Sequence, residues 1–306
     1  MEVYAGKKQL RSKDCARAAY LIAVGLGIHY IDSEPCRYIC YMKNTCQTLS
    51  LVEPAEHLLK VVLDREESSN AFNTQMALDL IEVFEQIALR PDQYRVVIVT
   101  GRGERAFCAG GDLKERKGMS DEAWQQQHLV FERMIRAVIA CPVPTIGAVN
   151  GAAYGGGCEL VAALDFVYAA EHAKFAQTET RLGIIPGIGG TQTLSRAIGQ
   201  RRAMEYILSG NSFSAADAMT WGLVNSVCPT TDALHESVLQ IATRIAANAP
   251  LAVRQARNAI HKGQHMSLAD GMAIEIEAYN RLVSTADRYE GVLAFNEKRK
   301  PQFTGK

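Results

Sequence analysis

Between Leu58 and Ala169 the chain alternates two kinds of apolar pattern, and this alternation limits it to few folds. Leu58–Asp64 and Arg95–Thr100 are short runs rich in branched apolar residues, as strands require. Between them Met76, Leu80, Ile81, Phe84 and Ile87 recur at spacings of three and four, which predicts a helix from about Asn73 to Leu89, ended by Pro91. The order then repeats. Ser120 followed by Asp121 and Glu122 reads as an N-cap and an acidic first turn. The helix it opens runs to about Ala140, with Trp124, Phe131, Met134, Ile135 and Val138 on one face. Pro142–Val149 enters a buried strand and Asp165–Ala169 reads as another. Strands alternating with helices predict an α/β architecture with right-handed crossovers. Beyond Ile184 helical patterns dominate, with Ser214 a candidate N-cap, Val224–Val227 a short strand and Pro301–Lys306 a loose tail.

A chain of 306 residues makes one large domain or two smaller ones. Three regions are expected: an N-terminal extension over 1–46, an α/β core over 47–245 and a helical C-terminal region over 246–306. The extension is cysteine-rich, shows no period and is expected to be poorly ordered. Within it, Lys7, Lys8, Arg11, Lys13 and Arg17 precede the apolar run Ala18–Ile31, the basic-then-apolar layout of a signal peptide. Glu2 and Asp14 interrupt the basic part, however, and no small-residue cleavage site follows cleanly. Cys36, Cys40 and Cys46 have no standard zinc spacing and no nearby histidine pair, so no metal site is expected. Cys108, Cys141, Cys158 and Cys228 read as reduced, buried cysteines of an intracellular protein. A formal net charge of zero argues against a dedicated nucleic-acid binder. No apolar run reaches the roughly 18–20 residues of a membrane span. The expected location is cytoplasmic, or mitochondrial if the source is a eukaryote and the extension a transit peptide.

Two glycine-rich loops carry the chemistry: Ala109-Gly110-Gly111-Asp112 and Tyr154-Gly155-Gly156-Gly157. Each follows a strand and opens toward a helix, the second helix starting near Cys158. In an open α/β sheet, ligands bind beyond the carboxyl ends of strands, so both loops are expected on one rim. Each can offer a backbone N–H to one carbonyl oxygen, and removing one donor of such an oxyanion hole costs about 10²–10³ in rate. Glu159 follows the second loop directly, and Glu179 follows a short strand-like run. Two carboxylates whose environments hold their pKa values apart can serve as base and acid. Gly187-Ile188-Gly189-Gly190 is a weak dinucleotide signal, because Pro186 precedes it and no β-α-β unit is evident. No Walker-type loop and no Ser-His-Asp set is apparent, and His172 reads as a solvated histidine.

These residues resemble the crotonase (enoyl-CoA hydratase) superfamily over roughly residues 50–306. The resemblance rests on four motifs in order: Phe107-Cys-Ala-Gly-Gly-Asp-Leu-Lys-Glu115, Val149-Asn-Gly-Ala-Ala-Tyr-Gly-Gly-Gly-Cys-Glu-Leu160, Gly183-Ile-Ile-Pro-Gly-Ile-Gly-Gly-Thr-Gln192 and Ala294-Phe-Asn-Glu-Lys-Arg299. It implies a spiral of ββα units with a helical C-terminal region that trimerises, giving a homotrimer or a dimer of trimers. It also implies a coenzyme A thioester as substrate, with no other cofactor. By motif, Gly111 and Gly156 supply the oxyanion N–H groups, and Glu159 and Glu179 match the catalytic pair of the hydratases. Ala71 and Ala109 match positions that line the coenzyme A path, and Asp112 and Leu113 adjoin the first loop as further substrate contacts. Phe295 and Lys298 match positions that reach toward coenzyme A in an adjacent subunit. Both glutamates being present favours hydration over isomerase or other crotonase chemistry. Within the family the chain is most similar to methylglutaconyl-CoA hydratases, through Asp112-Leu-Lys-Glu-Arg116 with Met119-Ser120, Arg196-Ala-Ile-Gly199 and Asp287–Arg299; short-chain enoyl-CoA is the other substrate expected. One relative of that group binds RNA through a lysine-rich helix. The corresponding segment here, Asn73–Arg90, has no lysine and carries Asp79, Glu82 and Glu85, which would repel phosphate.

Overall fold

From Leu49 onward the chain lays down strands in pairs and splits most pairs between two sheets. A computed structural model describes residues 46–306; the expectations for the extension, including its signal-like layout and the Cys36 and Cys40 spacing, lie outside the described residues. β1 (Leu49–Val52) pairs antiparallel with β2 (Leu58–Leu63), and α1 (Thr74–Leu89) follows, capped by Asn73. β3 (Val96–Gly101) and β4 (Ala106–Cys108) lead to the single-turn α2 (Leu113–Arg116) and to α3 (Asp121–Ile139), capped by Ser120 as expected. β5 (Thr145–Val149) and β6 (Ala152–Tyr154) lead to α4 (Gly156–Ala163). β7 (Phe166–Ala170) and β8 (Lys174–Ala176) lead to a 3₁₀ turn, Glu179–Leu182, and to α5 (Gly190–Ile198) and α6 (Gln200–Ser209). β9 (Ser212–Ser214), α7 (Ala215–Trp221) and β10 (Ser226–Cys228) complete the sheets.

The first sheet has the order β1-β2-β3-β5-β7-β10 and the second β4-β6-β8-β9. Three times over, the chain places a longer strand in the first sheet, a three-residue strand in the second, and then helical structure. This is the expected spiral of ββα units. It also fixes the site: β4, β6 and β8 run parallel side by side, so the loops that follow them leave the sheet at one edge.

α8 (Thr231–Ala246) covers the first sheet, setting Leu234, Val238 and Ala242 against Leu58, Val96, Ile98, Ile146 and Ala148. α1 and α3 turn a second set inward, including Met76, Leu80, Phe84, Phe131 and Met134. Burying each such large side chain contributes roughly 1.5–3 kcal/mol. α9 (Pro250–Gly263), α10 (Leu268–Asn280) and α11 (Ala286–Asn296) follow, and they leave Ile260, Leu268, Met272, Ile276 and Phe295 exposed. The division expected at 245/246 falls at the last residues of α8, and residues 46–306 form one unit. Cys108, Cys141, Cys158 and Cys228 are free and buried.

Three local expectations change. α4 begins at Gly156 rather than near Cys158, because Gly155 is its cap. The last strand starts at Ser226 rather than Val224, because the Leu223 and Val224 amides close α7 by donating to the Ala218 carbonyl. The tail has no regular structure but is not loose: Asp287 accepts from the Thr304 and Gly305 amides at 2.7 and 2.9 Å, and Arg95 donates to the Phe303 carbonyl at 2.9 Å.

Candidate active site

The two glycine loops touch. A methyl group on Gly110 would lie 2.8 Å from the Tyr154 carbonyl oxygen and 3.1 Å from the Gly156 nitrogen. Gly155 caps α4 at φ +51°, a conformation open to glycine at little cost, which makes Gly156 the first helical residue. The Gly156 N–H therefore has no intrahelical acceptor. Gly157 is sterically obligatory, since a methyl there would lie 2.1 Å from the Cys108 carbonyl oxygen. Across the gap, the Phe72 amide donates to the Gly110 carbonyl and the Asp112 amide to the Phe72 carbonyl, both at 2.7 Å. The Gly111 amide lies between these bonds and has no acceptor among the described residues. Two unclaimed amides, Gly111 and Gly156, are thus brought together. Arg65 braces the first loop, donating to the Ala71 carbonyl at 2.7 Å and to Asp112 at 2.9 Å.

Two carboxylates adjoin the second loop. Glu159 lies in the first turn of α4 and is buried, with its Oε1 accepting from the Ile188 and Gly190 amides at 2.9 and 2.7 Å. Burial pushes its carboxyl above the usual range, while those backbone donors oppose the shift. Glu179 opens the 3₁₀ turn and is also buried. Burial, and then the charge of Glu159, push its carboxyl up to about 7. Its Oε1 lies only 3.0 Å from where a methyl on Gly155 would stand, a second reason for glycine there. The two acids are thus close enough to interact and differ in environment, as acid and base must.

The remaining expected residues fall in varied settings. Ala71 is buried and Ala109 exposed, and Leu113 is exposed beside the first loop. The Asp112 carboxylate is occupied by Arg65 and by capping the Lys114 and Glu115 amides, and its own amide by Phe72. Its role is therefore to hold the loop rather than to meet a ligand with its side chain. Phe295 and Lys298 are exposed at the end of α11, where no hydrogen bond or ion pair joins them to the Glu159 loops among the described residues. His172 is exposed but not idle: its Nε2 lies 3.1 and 3.0 Å from the Glu104 and Asn150 carbonyl oxygens. Sequence reasoning missed Gln177, which is fully buried and, with its amide turned to donate, reaches the Glu179 carboxylate at 3.1 and 3.3 Å. Its place two residues before Glu179 is the only signal it carries.

Residues 53–306 match the family model described as "Enoyl-CoA hydratase/isomerase". The chain belongs to this family. Among relatives, "Enoyl-CoA hydratase domain-containing protein 2, mitochondrial" of Mus musculus is 38% identical over 264 residues, covering 85% of this chain and 88% of that protein. "Enoyl-CoA isomerase/hydratase fer4" of Mycosarcoma maydis is 38% identical over 275 residues, covering 86% and 100%. A crystal structure of an enoyl-CoA hydratase from Bacillus anthracis is 43% identical, has a TM-score of 0.83, and covers 85% of this chain and 100% of that one. The spiral of ββα units described above is therefore that of the enoyl-CoA hydratase/isomerase family, and the site belongs to a crotonase-type enzyme of coenzyme A thioesters.

Proposed function

We propose that this chain hydrates the α,β double bond of an enoyl-CoA thioester. The carrying observation is the pairing of two buried carboxylates, one of them raised to about 7, beside two unclaimed amides. The Gly111 and Gly156 amides hold the thioester oxygen and favour it most as it gains enolate charge. Glu159 takes a proton from water as the oxygen bonds to Cβ, and Glu179 gives a proton to Cα. Exchange with solvent then restores both acids. Acid, base and oxyanion donors all come from the chain, and coenzyme A arrives as part of the substrate. The acyl group is a short enoyl chain, branched methylglutaconyl or unbranched crotonyl. Glu159→Gln and Glu179→Gln are each expected to lower turnover by about 10²–10⁴ while acyl-CoA binding persists. Retained turnover in both variants overturns the reading. The family name and that of the M. maydis relative also cover isomerases, and product analysis separates the two, since an isomerase moves the double bond without gaining water.

The assembly we propose is a homotrimer or a dimer of trimers, supported by the exposed apolar residues of α9, α10 and α11. Sedimentation should give three or six times the 33.5 kDa chain mass. Nucleic acid is not a proposed partner: α1 has no lysine, and its Glu85 is paired with Arg133. No helix among the described residues is long and apolar enough to cross a membrane. For a eukaryotic source, the mitochondrial relative supports the transit-peptide reading of residues 1–46.

A further inference from the structure

One polar side chain beside the two acids is fully enclosed. Gln177 stands between β8 and the 3₁₀ turn that Glu179 opens, with none of its surface exposed. With its nitrogen turned toward Glu179, the amide reaches Oε2 at 3.1 Å and Oε1 at 3.3 Å, and this turn satisfies both of its ends. The opposite turn would set an amide oxygen against the oxygens of an ionised acid, which only accept. The other end of the amide points to the start of α5. A methyl group on Gly190 would lie 2.8 Å from that end, 2.7 Å from Glu159 Cγ and 3.0 Å from Glu159 Oε1. One buried amide therefore stands between the two acids and gives its nitrogen to Glu179.

Glu179 enters the proposed hydration as an acid and leaves it as a carboxylate, and its surroundings oppose that change. It is buried, and the charge of Glu159 bears on it from α4. Cys158, also of α4, faces it too, but burial keeps that thiol neutral. Arg181 of its own turn is spent on the Ser209 carbonyl and on Asn211. The Thr178 and Glu179 amides favour the ionised form, and among the described side chains Gln177 alone adds a donor to it. A neutral donor suits the place. A cation there would hold the acid ionised throughout and leave it no proton to give.

We propose that Gln177 is the positioning residue of the proton donor: its amide receives the negative charge left on Glu179 when the proton passes to Cα, and holds that carboxylate apart from Glu159. This rests on the hydratase reading and deepens it. In the step, the enolate's electron pair forms the C–H bond at Cα, the O–H bond of Glu179 breaks, and the pair of that bond stays on the carboxylate that Gln177 meets.

The test uses Gln177→Met, which keeps the length and removes the amide, and Gln177→Glu, which keeps the shape and removes the donor. Turnover needs Glu179 protonated, so it falls as pH rises through the titration of that group. A lost hydrogen bond to a charged group should move this fall up by about one to two pH units in Gln177→Met. Below it, kcat should drop about 10–100-fold, since a weaker acid passes its proton less readily, with KM for crotonyl-CoA little changed. Gln177→Glu should move the fall the same way, because a second carboxylate disfavours the charge on Glu179, and it carries the comparison if Gln177→Met does not fold. In a Glu179→Gln background Gln177→Met should cost little more, its target being gone. A fall that stays in place in the folded variants, or a loss that multiplies in the double variant, would make Gln177 a packing residue and overturn the proposal. Carbon-13 NMR titration of Glu179, assigned by its loss in Glu179→Gln, separates the two readings. The same upward shift in a protein that hydrates no enoyl-CoA would sink the hydratase reading while upholding the hold of Gln177 on Glu179.

Discussion

Glu179 is held where its charged form is disfavoured, and that has a consequence for stability as well as for catalysis. A carboxyl raised in the folded protein binds its proton more tightly there than in the unfolded chain, so ionising it costs stability. The cost is absent below the unfolded value near 4.5, grows as pH rises, and is complete above about 7. Each tenfold gain in proton affinity on folding corresponds to about 1.4 kcal/mol. Glu179→Gln removes the charge while keeping the shape. It should therefore melt higher than the parent at pH 8 and show little gain at pH 4.5, as read by calorimetry at both values. An equal gain at both would assign the effect to packing, and no gain at pH 8 would contradict the burial account. Both glutamates were legible in the sequence because each sits beside a glycine loop or a strand end that announces a site. Gln177 was not, because nothing in the local pattern shows that its amide turns onto the Glu179 carboxylate two residues on.

At the scale of elements, Asp165 is one tie between the C-terminal helices and the first sheet. It accepts from the Thr145 amide at 2.8 Å, from Arg257 of α9 at 2.7 Å and from His261 of α9 at 2.5 Å. Burial pushes its carboxyl up, but the bonds from His261 and Arg257 outweigh this and leave it below the usual range. Its stabilisation is therefore present above the unfolded value of 3.8 and is lost as pH falls through the lower folded one. Asp165→Asn leaves Arg257 buried without its counter-charge, since both side chains are nearly out of solvent. The expected destabilisation is about 3–5 kcal/mol, against about 0–1 kcal/mol for breaking the exposed Arg133–Glu85 pair, both read as denaturant midpoints. Equal small losses would mean that α9 does not depend on this tie. None of it is visible in sequence, where Asp165 and His261 are 96 residues apart. The long elements were visible: β2, β3, α1 and α3 each have enough residues to establish a period. β4, β6 and β9 have three residues each, too few for a period, so the second sheet emerges only in the folded chain.

At the scale of the whole molecule, one copy of the chain leaves Phe295 and Lys298 exposed at the end of α11, on a C-terminal region already rich in exposed apolar side chains. We propose, from the family resemblance, that these two residues serve the coenzyme A path of a neighbouring subunit. That reading makes a prediction a single-subunit site cannot share. Coenzyme A carries phosphates, and removing a lysine that meets one should raise KM about 10–100-fold with kcat little changed. Lys298→Ala is expected to behave so, while Glu159→Gln lowers turnover in its own subunit by about 10²–10⁴. In the proposed trimer, co-expressing the two variants builds mixed oligomers. Some sites then combine Glu159 from a Lys298→Ala subunit with Lys298 from a Glu159→Gln subunit. Low-KM activity should reappear in the mixture in proportion to mixed assembly, although neither parent variant combines low KM with high turnover. If Lys298 instead served its own subunit, every active subunit would still carry Lys298→Ala, and the mixture would keep the high KM at any ratio. Steady-state kinetics on purified mixed oligomers therefore decides whether the site is complete within one chain.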